Sequence, residues 1–171
     1  FKIKKKFDNY NLTGYQFDGE ELLETLLKSN KKNKFFRLFD NIDTSVILNL
    51  NKIYLEKNSY LQKINGEFDI KDNKLFLAKI DAILENKKKF SYFFRTTIKN
   101  EKITNILIEE PKPFINNYKF IKGFDKGELK LNSMKIDNTS RSNLQITNFK
   151  VKEVPVLAKI LTLASLQGIA D

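Results

Sequence analysis

The amino-acid sequence predicts a mainly β protein: a curved, twisted antiparallel sheet of about seven to nine strands forming a groove, with two or three short helices. Three observations predict it. Across residues 60–71 the chain alternates, with Tyr60, Gln62, Ile64, Gly66, Phe68 and Ile70 on one face and Leu61, Lys63, Asn65, Glu67, Asp69 and Lys71 on the other. That is the period-two pattern of a half-buried strand. A second pattern recurs three times, at Leu48-x-Leu50-x-x-Ile53-x-Leu55, Leu129-x-Leu131-x-x-Met134-x-Ile136 and Leu144-x-Ile146-x-x-Phe149-x-Val151. Its one-residue slip is what a β-bulge produces, keeping the apolar set on one face while adding local twist. The third observation is a single strongly apolar helix at the C-terminal end, wide enough to cover part of such a sheet.

The elements follow in chain order. Residues 17–40 read as a helical segment: Asp18 is an N-cap, Glu20 and Glu21 fall in the first turn, and Leu22, Leu23, Leu26 and Leu27 form the apolar face. Phe35, Phe36, Leu38 and Phe39 extend it toward Asp40. Residues 42–151 read as a strand meander. Asp72-Asn73 turns the chain so that Phe76, Ala78, Ile80, Ala82 and Leu84 share a face in the next strand of a hairpin. Phe90, Tyr92, Phe94, Thr96 and Ile98 continue the alternation, and residues 103–108 are a short β-branched run after the turn at Asn100-Glu101. Pro111 and Pro113 interrupt the chain, with Phe114, Ile115 and Tyr118 in a short helix behind them. Glu109-Glu110 reads as a solvated strand end, because two adjacent acids on a strand point to opposite sides.

Residues 153–168 form the apolar helix. Pro155 suits a first helical position, Glu153 suits the N-terminal dipole, and Gly168 provides a left-handed stop. Val156, Leu157, Ile160, Leu161, Leu163, Ala164 and Leu166 leave only a thin polar stripe of Lys159, Thr162 and Ser165. Such a helix is buried almost all round, in protein or in lipid. At roughly 21 Å it is too short to span a bilayer.

Composition narrows the function. The 171 residues contain no cysteine, histidine or tryptophan, which removes disulfides, Cys/His metal sites and His-dependent catalytic triads or dyads. Neither a Gly-x-Ser-x-Gly elbow nor a phosphate-binding loop is present, so no catalytic residue, metal ligand or cofactor is expected. The net charge of +10 is carried almost wholly by lysine, arginine occurring only at Arg37, Arg95 and Arg141. Abundant Lys, Asn, Ile and Phe resemble the codon bias of an AT-rich genome more than a selected nucleic-acid surface. The dense runs Lys4-Lys5-Lys6, Lys31-Lys32 with Lys34, and Lys87-Lys88-Lys89 fall at expected loop or strand ends; contact with anionic lipid headgroups is the alternative for any of them. A signal peptide and a spanning segment are not found in the sequence.

The literal string of the C-terminal region resembles one family. Gly127-Glu128-Leu129-x-Leu131 as a glycine-led strand, residues 138–142 as a turn and residues 144–149 as a second strand lead into Pro155, Leu157, Ala158, Leu161, Ser165, Leu166 and Gly168. This resembles the C-terminal signature of AsmA-like envelope proteins of Gram-negative bacteria, in particular the YhdP-type branch. It covers residues 127–171, and the chain, opening at Phe1, reads as a fragment of a longer β-groove domain. Two features depart from the family pattern: Lys126 stands where a second glycine is common, and residues 110–113 replace an Asp-Ala-Gly helix start.

What the resemblance implies is a periplasmic protein, anchored to the inner membrane by a segment beyond this sequence. Its role would be to move phospholipid between inner and outer membranes along a hydrophobic groove and so support outer-membrane integrity. The acyl-chain face would comprise Ile64, Phe68, Ile70, Phe76, Ile80, Tyr92 and Phe94. The competing reading is a structural or assembly module of the envelope, with the same face sealed as a core.

Overall fold

The computed structural model describes residues 2–6, 9–19, 43–56, 59–72, 74–84, 87–112, 114 and 124–151. Within them nine strands lie side by side in chain order: β1 (Lys2–Lys6), β2 (Asn9–Asp18), β3 (Thr44–Glu56), β4 (Ser59–Lys71), β5 (Lys74–Leu84), β6 (Lys89–Thr96), β7 (Lys102–Glu109), β8 (Phe124–Ile136) and β9 (Thr139–Val151). The sheet is open, and it is mixed where the sequence predicted a wholly antiparallel one. β2 and β3 run parallel, Leu12 beside Leu48 and Phe17 beside Ile53. Strands joined by tight turns must reverse direction; the connection from Asp18 to Thr44 is long enough to return the chain to its starting end.

The expected meander is β3 to β9. Three of its turns fall where short polar side chains tolerate a left-handed backbone, φ being 50° at Asp72, 61° at Asn100 and 50° at Asp137; the β5–β6 turn places Lys87 there instead, at 65°. Ile136 pairs with Thr139, so the last hairpin turns on Asp137-Asn138 and Ser140, Arg141 and Ser142 already belong to β9. The expected turn over 138–142 is therefore corrected to a tighter one.

Two strands precede the meander without a periodic signal in the sequence. Lys4, Lys5 and Lys6 lie in β1 and not in a loop. Phe17 and Asp18 end β2, and the Gly19 N–H donates to the Tyr54 carbonyl at 2.8 Å. The sheet thus takes the first residues of the segment 17–40 expected to be helical. Residues 20–42 lie outside the described residues, as do the apolar helix over 153–168 and its motif residues Pro155, Leu157, Ala158, Leu161, Ser165, Leu166 and Gly168. Ile115 and Tyr118 lie outside them too; Phe114 and Pro111 are joined by one turn, N–H to carbonyl at 2.9 Å.

The recurring slip is real at two of its three sites. In β3, Leu48, Leu50, Ile53 and Leu55 all join one core, and pairing skips Asn51 on both sides. The neighbours slip in step. β2 passes from Leu12 to Phe17 across Tyr15-Gln16, and β4 from Ile64 to Leu61 across Gln62-Lys63, where Lys63 has φ 50°. Alternation in β4 therefore holds from Ile64 to Ile70 but reverses before it, placing Leu61 on the buried side and Tyr60 and Gln62 opposite. In β9, Ile146 and Phe149 pack on the same core across Thr147-Asn148, with Asn148 at φ 55°. At Asn132-Ser133 pairing is unbroken on both sides. Met134 and Ile136 are consequently carried to the outer face, 43% and 46% exposed.

Gly127 is the partner of the β9 slip. Its φ is +93°, and a Cβ there would lie 2.8 Å from the Phe149 Cβ and 3.0 Å from the Thr147 carbonyl oxygen. Both the backbone conformation and the close approach of β9 demand glycine. Gly127→Ala is expected to lower stability by about 1–3 kcal/mol in urea denaturation. Ala substitution at exposed Lys130, two residues beyond Glu128 on the same strand, should stay within about 0.5 kcal/mol.

Candidate functional site

The candidate site is the buried face of the sheet, and its continuity comes from the coordinated slips. One cluster comprises Leu50, Leu55, Leu61, Ile64, Ala82, Leu84, Ile108, Leu129 and Leu131. A second comprises Leu12, Val46, Phe68, Ile70, Ala78 and Phe94. Leu48 and Ile80 pack on both, joining them into one apolar surface.

Six of the seven predicted acyl-chain residues share this surface. Ile64, Phe68, Ile70 and Phe94 are buried in it, and Ile80 and Tyr92 pack against it. Register explains the grouping: Ile80 stands between Gly66 and Tyr92, and Ala78 between Phe68 and Phe94. Gly66 and Ala78 keep the floor low, so the ring of Phe68 leans over Gly66; a Cβ there would meet Phe68 Cε2 at 3.0 Å and Leu48 Cβ at 3.1 Å.

Phe76 does not join them. Pairing between β4 and β5 jumps from Asp69–Leu77 to Ile70–Leu75, leaving one extra residue on β5. Leu75 takes the place on the buried face, and the Phe76 ring lies 4.6 Å from Lys71 Nζ. Sequence alternation alone, counted back from Ala78, puts Phe76 inside; only the pairing register reveals the extra residue.

The opposite face is mixed: polar pairs lie among apolar side chains, of which Ile47, Met134 and Ile136 are 44%, 43% and 46% exposed. Ser45 donates to Asp69 at 2.5 Å, and Lys130 pairs with Glu128 at 2.6 Å. Lys52 sits over the rings of Tyr54 and Tyr60, 5.1 and 3.7 Å from their centroids.

The two ends of the buried face differ. At one, Phe114 stacks on Phe90 with centroids 5.2 Å apart, and Pro111 is almost fully buried. At the other, the same face turns polar through Thr96, Lys102, Thr104, Ser133 and Lys135. Thr96 Oγ1 donates to the Leu75 carbonyl at 3.2 Å, and the hydroxyls of Ser133 and Ser142 lie 2.8 Å apart. The Lys102 ammonium is held below its ordinary value by burial, and further by the neighbouring charges of Lys135 and Lys74. Sequence reasoning missed this polar end. Lys102 and Lys135 are 33 residues apart, and only register brings them together.

Among the described residues no group of three or more His, Cys, Asp or Glu side chains is placed to hold a metal ion, and no helix is long and apolar enough to cross a membrane.

Comparison of the chain with family models, curated proteins and solved structures finds no match. The face assignment is testable directly. Phe68→Ala should cost about 3–5 kcal/mol in urea denaturation, whereas Phe76→Ala should cost about 1 kcal/mol or less. Tyr92 supplies a pH test, since burial pushes its hydroxyl up to about 12 from an ordinary value of 10.0. The unfolded chain then ionises first, so this contribution is complete below pH 10 and is lost as pH rises toward 12. Tyr92→Phe should flatten the alkaline limb of the stability curve between those values, by up to ~1.4 kcal/mol per pH unit.

Proposed function

We propose that this chain is a non-enzymatic segment of a Gram-negative, AsmA-like envelope protein. In this reading the buried face of its sheet shelters phospholipid acyl chains during transfer between inner and outer membranes, supporting outer-membrane integrity. The observation that carries it is the apolar surface across the strands, bridged by Leu48 and Ile80. The resemblance of residues 127–171 to the AsmA-like C-terminal signature supports the same reading. The physical need is large. A phospholipid carries roughly 30 chain methylenes, whose exposure to water costs over about 20 kcal/mol. A strip of apolar side chains supplies what the crossing requires, and no bond is made or broken. Residues 153–168 serve in this reading as a lid or seam on the same face.

A second reading is favoured by burial. Ile64 and Leu84 are each only 1% exposed, as in a sealed core. That pattern suits a structural module of the envelope that carries no lipid.

Photo-crosslinking in cells separates the two. Crosslinkers at Phe68, Ile80 and Phe94 should capture phospholipid, while those at Glu67, Lys79 and Arg95 on the opposite face should not. Capture by both faces alike, or by neither, would leave the structural module as the function.

A further inference from the structure

We propose that β9 is the interface through which two copies of this chain join edge to edge, making one sheet with a two-fold axis at Asn143. The inference goes beyond the acyl-chain reading and does not rest on it.

The two edges of the sheet are unlike. β1 is 5 residues long and lysine at every position but Ile3, a combination that blunts an edge against pairing. β9 is the other edge among the described residues. It is 13 residues long, and exposed Arg141, Ser142, Asn143 and Gln145 leave its margin uncovered. A long, weakly charged margin is a template for another strand. The strand's own regularity selects the register. Pairing with β8 is unbroken from Thr139 to Thr147, and beyond Thr147 it skips Gly127 and Asn148. Two antiparallel copies of that stretch overlap completely only when Asn143 faces itself. Arg141, the one charged side chain in the stretch, then falls opposite Gln145 of the second copy, so no like charges meet. Leu144 and Ile146 meet Ser142 and Ser140 of the second copy, which keeps the buried face continuous across the axis. On the outer face Asn105, Asn132 and Asn143 are successive cross-strand neighbours. The axis extends this row into the same three asparagines of the second copy, an amide ladder of the kind that stabilises stacked strands. Pairing of β9 with β1 of another copy would set Arg141 among lysines and would not close.

The test uses the 171-residue chain at about 100 µM, in salt high enough to screen its net charge of +10. Sedimentation equilibrium should give twice the mass of one chain. The sequence contains no cysteine, so single cysteine substitutions report the register without background. N143C should form a disulfide-linked dimer on mild oxidation, because residues directly opposite each other lie within disulfide reach. T139C should not, since the two copies of that position lie at opposite ends of the paired stretch. Q145E places a carboxylate opposite Arg141 twice in each dimer and should tighten association about three- to ten-fold. Q16E makes the same change of charge at an exposed position on β2 and should leave association unaltered. A monomer under these conditions would overturn the interface. Linkage through T139C as readily as through N143C, or equal responses to Q145E and Q16E, would overturn it as well.

Discussion

A sheet nine strands wide stays single-faced only if a strand that changes phase does so beside a neighbour that changes with it, or shifts its pairing register by one residue. Period-two alternation is unforgiving: one unmatched slip sends every following side chain to the wrong side. Here β2, β3 and β4 slip along one line, at Tyr15-Gln16, Asn51-Lys52 and Gln62-Lys63, and Leu50 still faces Ile64 while Ile53 faces Leu61. Gly127 and Asn148 make the corresponding adjustment between β8 and β9, both with positive φ. Between β4 and β5 the slips are not matched, and the pairing register shifts twice, between Gln62 and Asn65 and again at Phe76. The apolar surface and the placement of every candidate residue depend on this coordination.

The same coordination gives the surface a direction. The end near Phe90 is covered by Phe114 and lined by leucine and isoleucine, whereas the end near Thr96 is hydroxylated and cationic. The two ends differ because β6 and β7 carry Thr96, Lys102 and Thr104 where the opposite end carries Phe90 and Ile108. Amphiphilicity along the strand direction is thus superimposed on amphiphilicity through the sheet.

Much of the strand content was legible in the sequence, because Ile64, Phe68, Ile70, Ala78, Ile80 and Phe94 alternate as the pleat requires. The hairpin turns at Asp72 and Asn100 were legible for the same local reason: short polar side chains accept a left-handed backbone. β1 and β2 were not, since a strand such as KIKKK shows no apolar alternation and owes its place to pairing with a neighbour. Phe76 and the Asn132-Ser133 site failed together for a common cause. Whether a strand bulges depends on its partner's register, which lies tens of residues away. The cationic end was invisible for that reason too, as the two lysines carry no local signature.

The parallel step between β2 and β3 has a consequence for how such a sheet is put together. From β3 onward each strand pairs with the one just before it in the chain, so the meander is assembled from contacts of short sequence separation, which close quickly. The β1–β2 hairpin can form locally but docks only once the ends of the connection from Asp18 to Thr44 are brought together. Assembly is therefore modular, with β3–β9 as the template and β1–β2 as an addition to one edge. A sheet that accepts strands in this way can be lengthened at its margins without disturbing the face already built.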